Sequence, residues 1–245
     1  MRIDNDLLLL LQKADNSDLR LLADIITTNK KGNRRMNETL TGKASYAAHY
    51  PNDMRALVPD IVDELQCYGA NTVMTILRGG DGVSYHTILR NVAKKLKVSY
   101  NKNTSDESLE RYILQKIFDD VSAKMSEDEL RALAESMKVH LSAGYSKQAI
   151  ITTLQVAIRR GGFQSYIWIT VAANAISRAL LGRGLSFVAN SMLMKITSML
   201  TGPVFMAFNA LWLAVDLAGP AYRVTIPAVV QIAYIRSKLQ NAGME

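Results

Sequence analysis

The chain has 245 residues, 49% of them apolar, with one cysteine and three histidines. That single cysteine excludes an intrachain disulfide framework and agrees with a reducing compartment, and so few Cys and His exclude a zinc site built mainly from them. Only 14 Gly and 5 Pro, and 29 Lys/Arg against 22 Asp/Glu, exclude collagen-like and low-complexity classes and leave a globular chain with a modest basic excess.

The pattern predicts an all-α, multi-helix bundle. Leu7 to Leu11 follow Asp4 and Asp6; the run is too short for a signal-peptide core and reads as a short amphipathic helix ending near Ala14. Asp15 or Asn16 caps a second helix reaching Thr28, with Leu19, Leu22, Ile25 and Ile26 at helical spacing and Lys30-Lys31-Gly32 closing it. Pro59 suits the first turn of a helix ending at Cys67, and 86–97 forms another with Ile88, Leu89, Val92 and Leu96 on one face. Thr104 with Glu107, and Ser126 with Glu129, read as capping boxes opening helices over 105–124 and 127–141. A helix over 147–160 ends in Arg159-Arg160-Gly161-Gly162, a basic last turn and a glycine stop.

Charge divides sharply at Gly161. Residues 161–245 hold only 6 of the 29 Lys/Arg and 2 of the 22 Asp/Glu. We expect a charged helical domain over 1–160, with 1–50 as a short N-terminal module, and a strongly apolar helical domain over 161–245. The second reads as helices over 163–181, 185–200, 203–218 and a last one from Tyr222 to about Gln240, with Pro227 near its first turn. So apolar a segment is buried in its own core, a partner or lipid. Residues 196–215 carry no charge over a membrane-spanning length. Thr197, Ser198, Thr201, Asn209 and the Gly202-Pro203 break stand against a simple span, and Arg178, Arg183 and Lys195 would sit on the wrong side of a hairpin. Met192, Met194, Met199 and Met206 suit an adaptable apolar surface and an ordinary core equally.

No motif points to catalysis, a metal or a cofactor. The glycines at 79, 80 and 82 are followed by Val83 and Ser84, not the Lys and Ser/Thr of a phosphate loop. His49, His86 and His140 lack partners at ligand or triad spacing, and Cys67 reads as a small core residue. Asp63-Glu64, Asp119-Asp120 and Glu127-Asp128-Glu129 read as solvated or capping acids. Lys30, Lys31, Arg34 and Arg35 form one basic cluster, and Arg90, Lys94, Lys95 and Lys97 another. Both read first as solvated faces; as binding surfaces they suit anionic lipid head groups better than nucleic acid, because no aromatic residues are interleaved for base stacking.

The run Ala221-Tyr222-Arg223-Val224-Thr225-Ile226-Pro227-Ala228-Val229-Val230-Gln231-Ile232-Ala233 resembles the C-terminal signature of the bacterial YaaW family. Asp6-Leu7, Asp18-Leu19, Lys31-Gly32, Leu77-Arg78-Gly79 and Lys94-Lys95-Leu96-Lys97 are similar to its N-terminal and middle parts. The resemblance implies a distant grouping with ubiquinol–cytochrome c chaperones, hence a non-enzymatic role near the inner membrane. It carries over no catalytic residue. The expected function is a chaperone-like or adaptor protein, cytoplasmic or peripheral to the inner membrane, that binds apolar segments or a protein partner. The alternative is a colicin-like, membrane-inserting effector. Candidate partner- or lipid-binding residues are Tyr222, Arg223 and Gln231, costly to bury unpaired, with Arg90, Lys94 and Lys97.

Overall fold

The structure, a computed structural model, describes residues 4–29, 31–69, 82–181 and 221–242. Among these residues the chain is all-α: α1 Asn5–Leu11, α2 Asn16–Thr27, α3 Ala44–His49, α4 Val58–Gly69, α5 Tyr85–Lys95, α6 Asp106–Ser122, α7 Glu127–Ser136, α8 Lys147–Arg160, α9 Gly162–Leu181 and α10 Tyr222–Asn241. The one extended pairing described is an isolated bridge between Thr28 and Arg34. The helices expected over 185–200 and 203–218, and most of the glycine-rich loop before Val83, lie outside the described residues.

Helix starts follow hydroxyl capping. Ser84, Ser105, Ser126 and Ser146 each precede a helix and accept from the backbone N–H three residues on, which satisfies one of the amides a helix start leaves open. Ser126 and Glu129 form the expected reciprocal box. The other box is corrected: Ser105, not Thr104, caps α6, and the Thr104 hydroxyl bonds Asn101 instead. The end of α2 also differs. It stops at Thr27, and the chain turns back through Gly32 at φ +77° with Asn29 Oδ1 accepting from the Lys31 and Asn33 amides. An asparagine that bonds its own turn wins over a basic helix end.

The middle of the chain repeats itself. The hairpins α5–α6 and α7–α8 are offset by 41 residues, which superposes Leu89 on Leu130, Val92 on Leu133, Ala93 on Ala134, Leu109 on Ile150, Ile113 on Leu154 and Ile117 on Ile158; all twelve are buried. The first helix of each ends alike. Lys97 and Lys138 take left-handed backbone at φ 58° and 53°, and the next amide, Val98 or Val139, donates to the carbonyl of Ala93 or Ala134 at 2.8 Å. This closure normally falls to glycine.

One continuous core joins the described helices. Its centre is α10, which packs on α1, α2, α4, α5, α6 and α9, and every residue from Val224 to Ile235 is buried. A helix enclosed on all sides needs apolar residues all round, so Tyr222–Ala233 reads as near-continuous hydrophobicity without a polar stripe. Pro227 lies in the second turn, inside the helix, where its ring nitrogen offers no N–H to the Arg223 carbonyl. Tyr166, early in α9, stacks at 6.5 Å on Tyr234, late in α10. Gly162, at the start of α9, and Gln240 and Asn241, at the end of α10, line one small cavity, so the two helices run antiparallel, which puts Leu181 and Tyr222 at the same end of the body. Trp168 fixes α9 from the other side: its indole N–H donates to the Leu114 carbonyl at 3.1 Å, and its ring meets Phe118 edge-on at 5.0 Å.

Candidate binding face

Two polar systems organise the end of the chain, one buried and one exposed. The buried system holds α10 in place. Arg236 grips Glu110 with two hydrogen bonds, Nε to Oε2 at 2.8 Å and Nη2 to Oε1 at 3.1 Å, and the Tyr85 hydroxyl donates to Oε1 at 2.9 Å. Glu110 is 2% exposed. Burial pushes its carboxyl above the usual range, and Arg236 and Tyr85 only partly offset this. Two residues on, Lys238 bonds Asp15 at 2.7 Å and Asp18 at 2.8 Å. Asp18 is also held up by burial, against the pull of Lys238. Gln231, buried in α10, donates Nε2–H to the Asp18 carbonyl at 3.2 Å.

Gln231 thus ties α10 to α2 inside the core, out of reach of lipid or a partner. The cations that pin the last helix are Arg236 and Lys238, with Arg223 exposed near its start. Sequence reasoning gave no pairing role to Arg236, Lys238, Glu110 or Asp18. The available signal was an acid on an apolar stripe: Glu110 stands three and four residues before the buried Ile113 and Leu114.

The expectation for the paired acids is corrected at Glu64. It is buried, and it accepts from the Thr39 amide at 3.0 Å and hydroxyl at 2.6 Å, holding the 29–42 segment onto α4. Asp120 pairs with Lys116, Glu127 with Arg131, and Asp119 accepts from Gln115 and Gln155. Cys67 is half-buried, and burial with the nearby Asp63 and Glu64 carboxylates pushes its thiol up to about 11, which suppresses the reactive thiolate. Among the described residues no group of three or more His, Cys, Asp or Glu could hold a metal ion. No described helix is long and apolar enough to cross a membrane.

The exposed system brings the Arg90–Lys97 cluster together with Tyr222. Arg90, Lys94, Lys95 and Lys97 are all exposed at the end of α5. The Lys95 ammonium lies over the Tyr222 ring at 5.5 Å, and the Arg90 guanidinium over Tyr100 at 5.9 Å. Contacts of this kind favour a cation on an aromatic face. Among the described residues no carboxylate pairs with these four cations. Tyr222 and the exposed Arg223 start α10 at the end of the body where α9 finishes. The result is a cationic face with two half-buried tyrosines, suited to anionic groups.

Comparison with known proteins agrees with the resemblance. No family model and no solved structure matches the chain. A UPF0174 protein of Helicobacter pylori is 37% identical over 233 residues, 95% of this chain and 91% of the relative. A second from the same species is 34% identical over 209 residues, 84% of this chain and 99% of the relative. The UPF0174 protein YaaW of Escherichia coli K12 is 27% identical over 229 residues, 92% of this chain and 91% of the relative. With these lengths covered almost end to end, the chain belongs to the UPF0174 (YaaW) family.

Proposed function

We propose that the chain is a non-catalytic adaptor that docks through the α5 end face on an anionic membrane surface and holds apolar segments or a protein partner there. The observation carrying this reading is the contact of Lys95 with Tyr222, which joins four exposed cations to the start of α10. Interfacial tyrosines and juxtamembrane lysines are the residues a lipid head-group layer accepts. Residues 182–220 hold only Arg183, Lys195 and Asp216 as charges, and the described residues that flank them, Leu181 and Tyr222, lie at this same end. Bilayer permeabilisation, the other reading of that composition, rests on residues outside those described.

Co-sedimentation with phosphatidylglycerol vesicles tests the proposal. Each basic side chain at an anionic surface contributes about 1 kcal/mol, so Lys94→Gln with Lys97→Gln weakens binding roughly 30-fold. Raising salt to 0.5 M releases the chain, because screening is strong at that ionic strength. Equal binding to neutral phosphatidylcholine vesicles, or no effect of the double substitution, overturns it.

A further inference from the structure

Where α7 ends and α8 passes into α9, the surface opens into a cleft of about 470 Å³, within the roughly 300–1,000 Å³ of small-molecule sites. Val139, Val156 and Ala157 give its lining apolar surface, and Lys138, His140, Arg160 and the Gln164 amide give it polar groups. Val156 is 41% exposed, one of four large apolar side chains open to solvent among the described residues. No carboxylate lines the cleft. Lys138 lies over the Phe163 ring at 5.2 Å, and neither it nor Arg160 meets a carboxylate among the described residues.

The internal repeat places different residues on the equivalent face of the first hairpin. Thr152, Thr153, Val156 and Ala157 correspond, 41 residues earlier, to Arg111, Tyr112, Gln115 and Lys116. Longer side chains stand at these positions in the first hairpin, where threonine, valine and alanine stand in the second. The charge reverses as well, since Arg160 corresponds to Asp119, which is occupied by Gln115 and Gln155.

The geometry points to a site for a small amphiphilic anion, whose carboxylate or phosphate head meets Lys138, His140 and Arg160 while a short alkyl chain lies on Val139, Val156 and Ala157. A guanidinium offers paired donors to either head. The chain end recovers the apolar contact that Val156 now lacks.

Calorimetric titration of the full chain, below micelle-forming concentrations, tests this with octanoate, octyl phosphate and octylammonium. At least one anion saturates a single site, and the tighter of the two identifies the head; octylammonium does not saturate. Arg160→Gln weakens the anion at least tenfold. Lys138→Gly does the same without lowering the melting temperature, because glycine suits left-handed backbone, so a binding loss there is not a folding loss. Octylammonium binding as tightly as the anions, unchanged affinity in both variants, or saturation by neither anion overturns the assignment.

Discussion

Tyr85, at the first position of α5, donates its hydroxyl to Oε1 of Glu110 in α6 at 2.9 Å, with both side chains buried. Burial and the adjacent carboxylate hold the phenol well above 10.0. The unfolded chain loses that proton near pH 10, whereas the folded chain keeps it. Folding stability is therefore full below pH 10 and falls as pH rises, by about 1.4 kcal/mol per unit for this one group. Tyr85→Phe makes the alkaline slope shallower by that amount and costs about 1–2 kcal/mol at neutral pH, since Glu110 Oε1 loses one of its two donors and keeps only Arg236. Urea unfolding at pH 7 and across pH 10 to 11 reads both, and an unaltered slope contradicts the assignment.

Arg236 and Glu110 join residues 126 apart in sequence. Arg236→Ala leaves a carboxylate under α10 without its charge partner and costs about 3–5 kcal/mol. Replacing both, as Glu110→Leu with Arg236→Met, recovers most of that loss because an apolar pair fits the same dry space. Chemical denaturation of the two variants at pH 7 separates these outcomes; equal losses would mean that packing, not charge, sets the cost.

The two neighbouring hydroxyls before α6 are distinguishable. Ser105→Ala removes the cap and costs about 1 kcal/mol, whereas Thr104→Ala removes only a loop bond to Asn101 and costs less. Ser126→Ala breaks the reciprocal box of α7 and exceeds Thr104→Ala for the same reason. Midpoint shifts in urea at constant slope give the order.

Lys97 combines strain with charge. Its left-handed backbone costs a lysine about 1–2 kcal/mol that glycine avoids, against a chain-entropy cost of about 0.5–1 kcal/mol for glycine. Lys97→Gly therefore stabilises the fold by about 0.5 kcal/mol while weakening binding to phosphatidylglycerol vesicles. Thermal melting and co-sedimentation then move in opposite directions; a fall in both assigns Lys97 a structural role.

Local signals made most of the helical fold legible. Serine at 126 with glutamate at 129, apolar spacing along α2 and the glycines after Arg160 describe events within one or two turns, where side chain and backbone act directly on each other. The pinning of α10 was not legible, because Arg236 finds Glu110 and Lys238 finds Asp18 only once distant segments have packed. Glu64 failed for the same reason: its partner Thr39 comes from a segment without helical periodicity. The repeat of α5–α6 in α7–α8 was open to inspection, but it shows as apolar positions and a Lys-Val pair rather than as identity. Of the candidate residues, Arg90, Lys94, Lys97, Tyr222 and Arg223 gather at one end of the body, while Gln231 belongs to the core.

The bonds from Lys238 to Asp18 and from Gln231 to the Asp18 carbonyl span 220 and 213 residues, nearly the whole chain. Translation proceeds at about 5–20 residues per second, so α2 leaves the ribosome roughly 10–45 s before the helix that covers it. Until then Leu19, Leu22 and Ile26, all buried in the finished protein, have no α10 to pack against. A nascent chain stalled anywhere before Tyr222 carries that apolar stripe uncovered by its main partner, so α2, made early among the described helices, is among the last of them to be covered.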